Sequence, residues 1–387
     1  MRLLLLQDQM YVPSFGGGNK ATRMLAEGLV RRGHACAVVA PALTGHEGPR
    51  RVEEFLTAMR VRGVAVTSPE PGRYRYVLRG VEVDGPASKD VTGAAAIVRA
   101  RIAGFRPEWV VVSDDRQRVL LASALEGAPE RTLYLLQTII HVPFGPLARE
   151  ADAEQSRRVA QARARLVISD FLGRYLRDHA GLDSCKVRLP VFGEGPFPVL
   201  GRFDRGYVTM VNPCVAKGLD IFLALARRFP DVEFAAVPTW GADEGVFRAL
   251  DAVQNVRRLE PADDIEEILG RTRILVAPSL WPETLGYVVI EAMVRGIPVL
   301  ASDLGGLAEA KLGVDYLLPV RPAERGPDGY VSPEQDLAPW TAALAELLSD
   351  PATYTRCARE SRDAALAAIA PHRVCAFEEL VAAIDAS

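Results

Sequence analysis

Two carboxylates eight positions apart, Glu283 and Glu291, flank a stretch able to hold an anion. It reads Pro278-Ser279-Leu280-Trp281-Pro282-Glu283-Thr284-Leu285-Gly286-Tyr287-Val288-Val289-Ile290-Glu291-Ala292-Met293. Glu291 is surrounded by Val288, Val289, Ile290, Ala292, Met293 and Val294. A carboxylate on so apolar a helix is costly unless it meets a partner or faces a cleft. The bland alternative is the surface face of a half-buried helix. Eight helical residues advance the chain about 12 Å and turn it about 80°, which leaves both acids on roughly one side. The helix start between them offers backbone N–H groups at Leu285, Gly286 and Tyr287, and Gly286 admits close approach to the backbone. Acid, anion site, acid suits a diphosphate with hydroxyl-bearing rings at both ends.

Lys217 is the cation that such a group needs. It precedes Gly218 where a strand gives way to a helix. A lysine there opposes the helix dipole, so it either answers an anion or is a solvated side chain. Gly16-Gly17-Gly18 forms a second candidate cradle, although a glycine trio serves equally as a tight β–α turn. Gly305-Gly306, after Asp303, could likewise bring N–H groups to a phosphate. His141 lies in the apolar, proline-rich loop Thr138-Ile139-Ile140-His141-Val142-Pro143-Phe144-Gly145-Pro146, where it is either a ligand contact or a satisfied structural residue. Serines and histidines are too dispersed for a Ser/His/Asp arrangement. No cluster has metal-ligand spacing, and no P-loop motif is present.

These residues need strands and helices to place them. Leu3 to Leu6 reads as a buried parallel strand. A helix follows the glycine trio to Gly33, and Ala35 to Ala40 is the next strand. Tyr74 to Leu78 and Val81 to Val83 alternate around Arg79-Gly80 as a hairpin. Asp90 is placed to cap a helix running to Phe105. Trp109 to Ser113 and Arg131 to Gln137 are strands. The pattern then gives a charged helix from Leu147 to Arg165, a strand at Leu166 to Ile168, a helix from Phe171 to Ala180 capped by Ser169, and a strand at Val187 to Leu189. Residues 190 to 206 carry prolines and glycines without periodicity. The βα alternation restarts at Tyr207 to Val211 and ends in three helices. Expected are two doubly wound α/β domains facing a cleft: residues 1–195, a linker 196–206, residues 207–370, and a last segment 371–387.

Length and composition agree with this division. At 387 residues two domains are expected. The net charge is −3, from 46 basic and 49 acidic residues, which argues against nucleic acid as a partner. Five scattered cysteines without CxxC point to a reducing, cytoplasmic setting. The apolar N-terminal run is too short for a signal peptide or a membrane helix.

The combination resembles the GT-B retaining glycosyltransferases of family 4. The matching residues are the Gly16-Gly17-Gly18 loop and its helix, Lys217-Gly218, the pair Glu283 and Glu291, the run GYVVIEAMVRGIPVLASDLGG and the helical tail. The resemblance implies two Rossmann-like domains, a sugar nucleotide held mainly by the second, and a last helix that crosses back onto the first. It implies a hexosyltransferase that moves a sugar from a nucleotide diphosphate sugar, UDP- or GDP-linked, to an acceptor hydroxyl with retention and without a metal or other cofactor. The donor set becomes Gly17, Gly18, Asn212, Lys217, Glu283, Thr284, Leu285, Gly286 and Glu291. Glu291 holds the ribose, Glu283 meets the sugar, and Lys217 with the N–H groups at Leu285 and Gly286 takes up diphosphate charge. Glu283, Lys217 and His141 are the expected catalytic group. Two positions depart from the family pattern. Asn212 stands where an arginine usually precedes the lysine by five residues, and His141 lies in an unusual loop.

The acceptor, whether small molecule, glycan or lipid-linked, falls to the N-terminal domain, through residues 43 to 88 and 138 to 150. Arg50, Arg51, Arg60, Arg62, Arg73, Arg75 and Arg79 form either a peripheral membrane patch or an ordinary solvated face. A sugar-nucleotide 2-epimerase and a non-catalytic sugar-nucleotide-binding protein are the alternative readings.

Overall fold

A computed structural model describes residues 1–14, 16–43, 51–87, 91–326 and 329–386. Asp90 and Arg50 lie outside them. The chain divides into two compact units, Met1–Gly193 with His372–Ser387, and Glu194–Pro371.

The first unit is built on nine strands: β1 (Arg2–Gln7), β2 (Ala35–Val39), β3 (Val66–Glu70), β4 (Arg73–Leu78), β5 (Val81–Pro86), β6 (Trp109–Ser113), β7 (Thr132–Leu136), β8 (Ala164–Val167) and β9 (Cys185–Lys186). Their order is β3-β4-β5-β2-β1-β6-β7-β8-β9. From β5 to β9 every pairing is parallel, while β3, β4 and β5 form an antiparallel edge. Strands covered on both faces must be apolar throughout. Accordingly Leu3 to Leu6 and Val110 to Val112 are fully buried. Strand order reverses between β1 and β6, and in such sheets the crevice beyond the strands' carboxyl ends at this reversal is the ligand position.

The hairpin read around Arg79-Gly80 is present, with β3 as an additional strand. The charged helix expected over 147 to 165 is shorter, Ala153–Gln161, with Asp152 capping Gln155 N–H. The last strand of this unit lies at Cys185–Lys186 instead of Val187 to Leu189.

The second unit carries β10 (Tyr207–Val211), β11 (Phe234–Val237), β12 (Val256–Arg258), β13 (Thr272–Ala277), β14 (Val299–Ser302) and β15 (Leu317–Leu318), ordered β12-β11-β10-β13-β14-β15 and parallel throughout. This is the 3-2-1-4-5-6 order of a dinucleotide-binding sheet. Phe234, Leu275 and Leu300 are fully buried in it, and Phe222 of the helix Leu219–Arg228 is buried against Phe234. Trp340 is buried as well, its indole N–H donating to the Pro319 carbonyl. A small antiparallel pair, β16 (Glu324–Gly326) with β17 (Gly329–Val331), was not foreseen from sequence.

Candidate functional site

In the second unit the carboxyl ends of β10 and β13 bring Lys217 and Glu283 into direct contact. Lys217 ends a single 3-10 turn, Val215–Lys217. That turn is fixed to the loop after β13, because the Ala216 carbonyl accepts the N–H groups of both Leu280 and Trp281 at 3.0 and 2.9 Å. Gly218 follows at φ +80, and a Cβ there would lie 1.9 Å from the Pro278 carbonyl oxygen. Only glycine permits this closeness, and the closeness puts the lysine opposite the acid. The two side chains remain 17% and 19% exposed, so the pair is open to a ligand.

Glu283 is held from the other side by the segment after β14. It forms an isolated parallel bridge with Gly305, and its carbonyl accepts Gly306 N–H at 2.6 Å. The expectation that Gly305-Gly306 presents N–H groups to a phosphate is therefore corrected at Gly306. Its N–H donates within the chain and positions Glu283.

The helix after Glu283 begins at Tyr287 and ends at Val294. Glu283 to Gly286 are not helical, so the azimuth argument for two acids on one helix holds only for its second half. Gly286 caps the helix in a left-handed conformation, φ +92, with no side-chain cap. Val289 N–H turns back to the Gly286 carbonyl at 3.0 Å. A helix start with no side-chain cap, next to Leu285 and the Lys217–Glu283 pair, is an anion-binding arrangement. Glu291 is buried on that helix among Val289, Ile290, Ala292 and Met293. Thr284 and Leu285 lie on the loop that joins the two acids.

Asn212 takes φ +59, and its side-chain oxygen accepts Gly241 N–H at 2.9 Å. The residue in the place of the usual arginine thus anchors the loop after β11. That loop carries Trp240, whose ring centroid lies 5.7 Å from Lys217 Nζ. Sequence reading passed over Trp240 because a lone aromatic in a loop has no distinguishing spacing. Trp281 meets Tyr330 of β17 edge to face, with centroids 5.2 Å apart.

In the first unit Gly17 opens the helix Gly17–Arg31. The Gly18 carbonyl accepts Gln137 Nε2 at 3.2 Å, and a Cβ on Gly18 would touch Gln137 at 3.4 Å. The glycine loop is packed on the end of β7. His141 is partly buried in the short turn Ile139–His141 beyond that strand.

Asp114, after β6, was not singled out by sequence. It holds φ +46. Its Oδ1 accepts the N–H groups of Gln137 and Thr138, both at 3.2 Å. Burial pushes the Asp114 carboxyl up to about 8, and the charges of Asp8 and Asp115 add to that against the two N–H donors. Asp115 is fully engaged, capping Val119, Leu120 and Leu121. The usable signal was an acid doublet, Asp114-Asp115, ending an apolar strand at the point where strand order reverses.

Of the arginines considered for a basic patch, Arg73 and Arg75 pair with Asp84, Arg79 with Glu27, and Arg51 with Glu54. Among the described residues no helix is long and apolar enough to cross a membrane.

Residues 205–350 match the family described as glycosyl transferases group 1. A phosphatidyl-myo-inositol mannosyltransferase of Mycolicibacterium smegmatis is 28% identical over 207 residues, 48% of either chain. An alpha-maltose-1-phosphate synthase of the same organism is 37% identical over 112 residues, 28% of this chain and 29% of the relative. The chain thus matches half or less of the length of these curated relatives. Among solved structures, sucrose-phosphate synthase from Thermosynechococcus elongatus superimposes with a TM-score of 0.71 at 17% identity, covering 99% of this chain and all of the other. Anabaena HepE, solved with UDP and glucose, gives 0.65 at 16% identity over the full length of both. These structural likenesses establish the GT-B fold.

Proposed function

We propose, from the premise that residues 205–350 are a glycosyl transferases group 1 domain, that this chain is a hexosyltransferase using a nucleotide diphosphate sugar. The observation that carries the reading is the Lys217–Glu283 pair beside a helix start without a side-chain cap, with buried Glu291 one turn further on. The diphosphate competes for the Lys217 ammonium and takes the N–H groups around Leu285 and Gly286. Glu283, released from its ion pair, accepts a hydroxyl of the sugar. Glu291 accepts the ribose hydroxyls. HepE, also solved in complex with UDP-glucose, supports a sugar nucleotide as donor. The mannosyltransferase and synthase names support hexose as the group transferred.

Transfer proceeds on the front face with retention. The anomeric C–O bond breaks and its electron pair passes to the departing diphosphate. The acceptor oxygen forms the new bond on the same face, and its proton goes to the leaving phosphate oxygen. Lys217 and the helix start stabilise the charge that develops there. The positive charge of Lys217 and the helix dipole do the work that a divalent cation does elsewhere, so the reaction is metal-independent. Gly17, Gly18 and His141 belong to the acceptor-bearing unit, and the acceptor is a glycan, lipid-linked or small-molecule hydroxyl. The five free cysteines support a reducing, cytoplasmic setting.

The test is thermal stabilisation by UDP-, GDP- and ADP-sugars, then Glu291→Ala and Lys217→Ala in transfer assays. Glu291→Ala is expected to weaken nucleotide binding by about tenfold or more, the weight of hydrogen bonds to a charged group. Lys217→Ala is expected to lower kcat by about 100-fold, as for loss of one donor to a developing oxyanion. If none of the three nucleotides stabilises the protein, the donor reading is wrong. An inverted anomer in the product removes the front-face mechanism.

A further inference from the structure

The turn that carries Trp240 is built to hold one aromatic ring in place. It leaves β11 at Val237, on the carboxyl side of the sheet and beside β10, whose end leads to Lys217. Asn212 Oδ1 accepts Gly241 N–H at 2.9 Å, and Ala242 N–H donates to the Thr239 carbonyl at 3.1 Å. A Cβ on Gly241 would lie 2.9 Å from both Asn212 Oδ1 and Cys214 Sγ, so the turn lies flat against β10's extension. Asp243 then caps the next helix through Val246 N–H at 2.9 Å. The backbone on both sides of Trp240 is thereby fixed. The indole nevertheless stays 47% exposed, among the most exposed of the large apolar side chains. Exposed apolar side chains are ordinary on a surface. An exposed indole on a clamped turn, with its ring 5.7 Å from the ammonium that also holds Glu283, is not an ordinary placement.

We propose that Trp240 is the stacking platform for the donor's hexose ring, and that its face is occupied by Lys217 until the donor arrives. This inference rests on the donor reading above and adds to it the side chain that meets the apolar C–H face of the hexopyranose. Indole combines a broad apolar face with a negative quadrupole, so it attracts either a cation or the weakly positive C–H groups of a pyranose. The Lys217 ammonium pairs with the Glu283 carboxylate and lies over the indole, 5.7 Å from the ring centroid. When a diphosphate draws the ammonium away, both the carboxylate and the ring face come free. One then accepts a sugar hydroxyl while the other covers the sugar's apolar side. Glu291, beyond the helix start from this pair, keeps the ribose end, so Trp240 addresses the sugar and not the nucleotide.

The test compares UDP with UDP-glucose, and GDP with GDP-mannose, by isothermal titration on the full chain. Wild type, Trp240→Ala, Trp240→Phe and Glu291→Ala are each titrated. Trp240→Ala is expected to bind the bare nucleoside diphosphate within about twofold of wild type while losing about tenfold for the sugar nucleotide, the scale of one aromatic stacking contact. Trp240→Phe keeps a ring face and is expected to recover most of that loss. Glu291→Ala is expected to weaken both ligands together. Equal losses for nucleotide and sugar nucleotide in Trp240→Ala, or no loss for either, overturn the platform while leaving the donor reading in place. Failure of wild type to bind any of these four ligands, or ADP or ADP-glucose, overturns the donor reading and the platform with it.

Discussion

Asp114 occupies a backbone conformation that L-residues avoid, φ +46, with its carboxyl among the side chains of Asp8 and Asp115. Tyr134, fully buried with no partner for its hydroxyl among the described residues, feels all three acids, and burial raises it well above the usual phenol range. The direction for Asp114 is upward, to about 8, with burial as the main cause. At acid pH both folded and unfolded chains keep the proton. As pH rises from about 4, the unfolded carboxyl ionises while the folded one does not, so stability falls until about pH 8. Asparagine mimics the protonated acid, keeps an oxygen for Gln137 and Thr138 N–H, and tolerates positive φ. Asp114→Asn is therefore expected to stabilise the protein, with a gap over wild type that widens from pH 5 to pH 8 in urea denaturation. A gap that does not change with pH refutes the raised pKa. Glu291 was legible as an acid on a buried helix face because a carboxylate among six apolar neighbours is anomalous by itself. Asp114 was not, since its strain and burial come from strands that the local sequence does not name.

Residues 303 to 311 act as one bracket behind Glu283. Gly306 passes so close that a Cβ there would lie 2.4 Å from the Thr284 carbonyl oxygen. At the far end Lys311 is almost fully buried, and its ammonium donates to the Val299 carbonyl of β14 at 2.7 Å. Gly306→Ala is expected to leave the unit folded but to displace Glu283 and Thr284, lowering kcat by on the order of 100-fold, as misplacement near 1 Å does. Unchanged kcat with intact folding shows that the bracket does not set the acid's position. Lys311 is expected to reveal itself by pH. Burial lowers its pKa to about 8, against about 10.4 in the unfolded chain. Below about 8 the folded protein carries a buried charge at a cost, and between about 8 and 10.4 the folded state is neutral while the unfolded state is charged. Stability relative to Lys311→Met should accordingly rise with pH across that window, by about 3 kcal/mol. A flat difference refutes the depressed pKa. The strand, loop and helix order of this region was legible from period and punctuation. The use of the Gly306 N–H was not, because a glycine that faces a ligand and one that faces its own chain look alike in sequence. The hairpin of β16 and β17 escaped for a related reason: two three-residue strands show no period.

At the scale of the whole molecule, the chain leaves the first unit at Gly193 and returns to it at His372. The returning helix, Val374–Asp385, buries Val374, Phe377, Val381 and Ile384. Val374 packs where Gly28 has no side chain, since a Cβ on Gly28 would lie 2.4 Å from it. Glu378 meets both Arg32 and His34, whose hydrogen bonds and charge hold its carboxyl below the usual range despite partial burial. His372 Nδ1 donates to the Leu189 carbonyl at 3.0 Å, and Arg163 donates to that of Ile384 at 2.8 Å. Four buried apolar side chains contribute roughly 6 to 12 kcal/mol, which is the scale of an entire domain's stability. Residues 1–193 expressed alone are therefore expected not to fold, and Gly28→Ala in the full chain is expected to lower the melting temperature by forcing Val374 away. The second unit is continuous from Glu194 to Pro371 and contains Asn212, Lys217, Trp240, Glu283 and Glu291. Expressed alone it should unfold cooperatively and bind the nucleoside diphosphate that the full chain binds. Circular dichroism and titration of the two fragments decide this. A cooperatively folded 1–193 fragment would show that the last helix is dispensable. A folded 194–371 fragment that binds no nucleotide would show that the donor end requires the first unit, and Glu291 and Lys217 would then be insufficient to hold a sugar nucleotide by themselves.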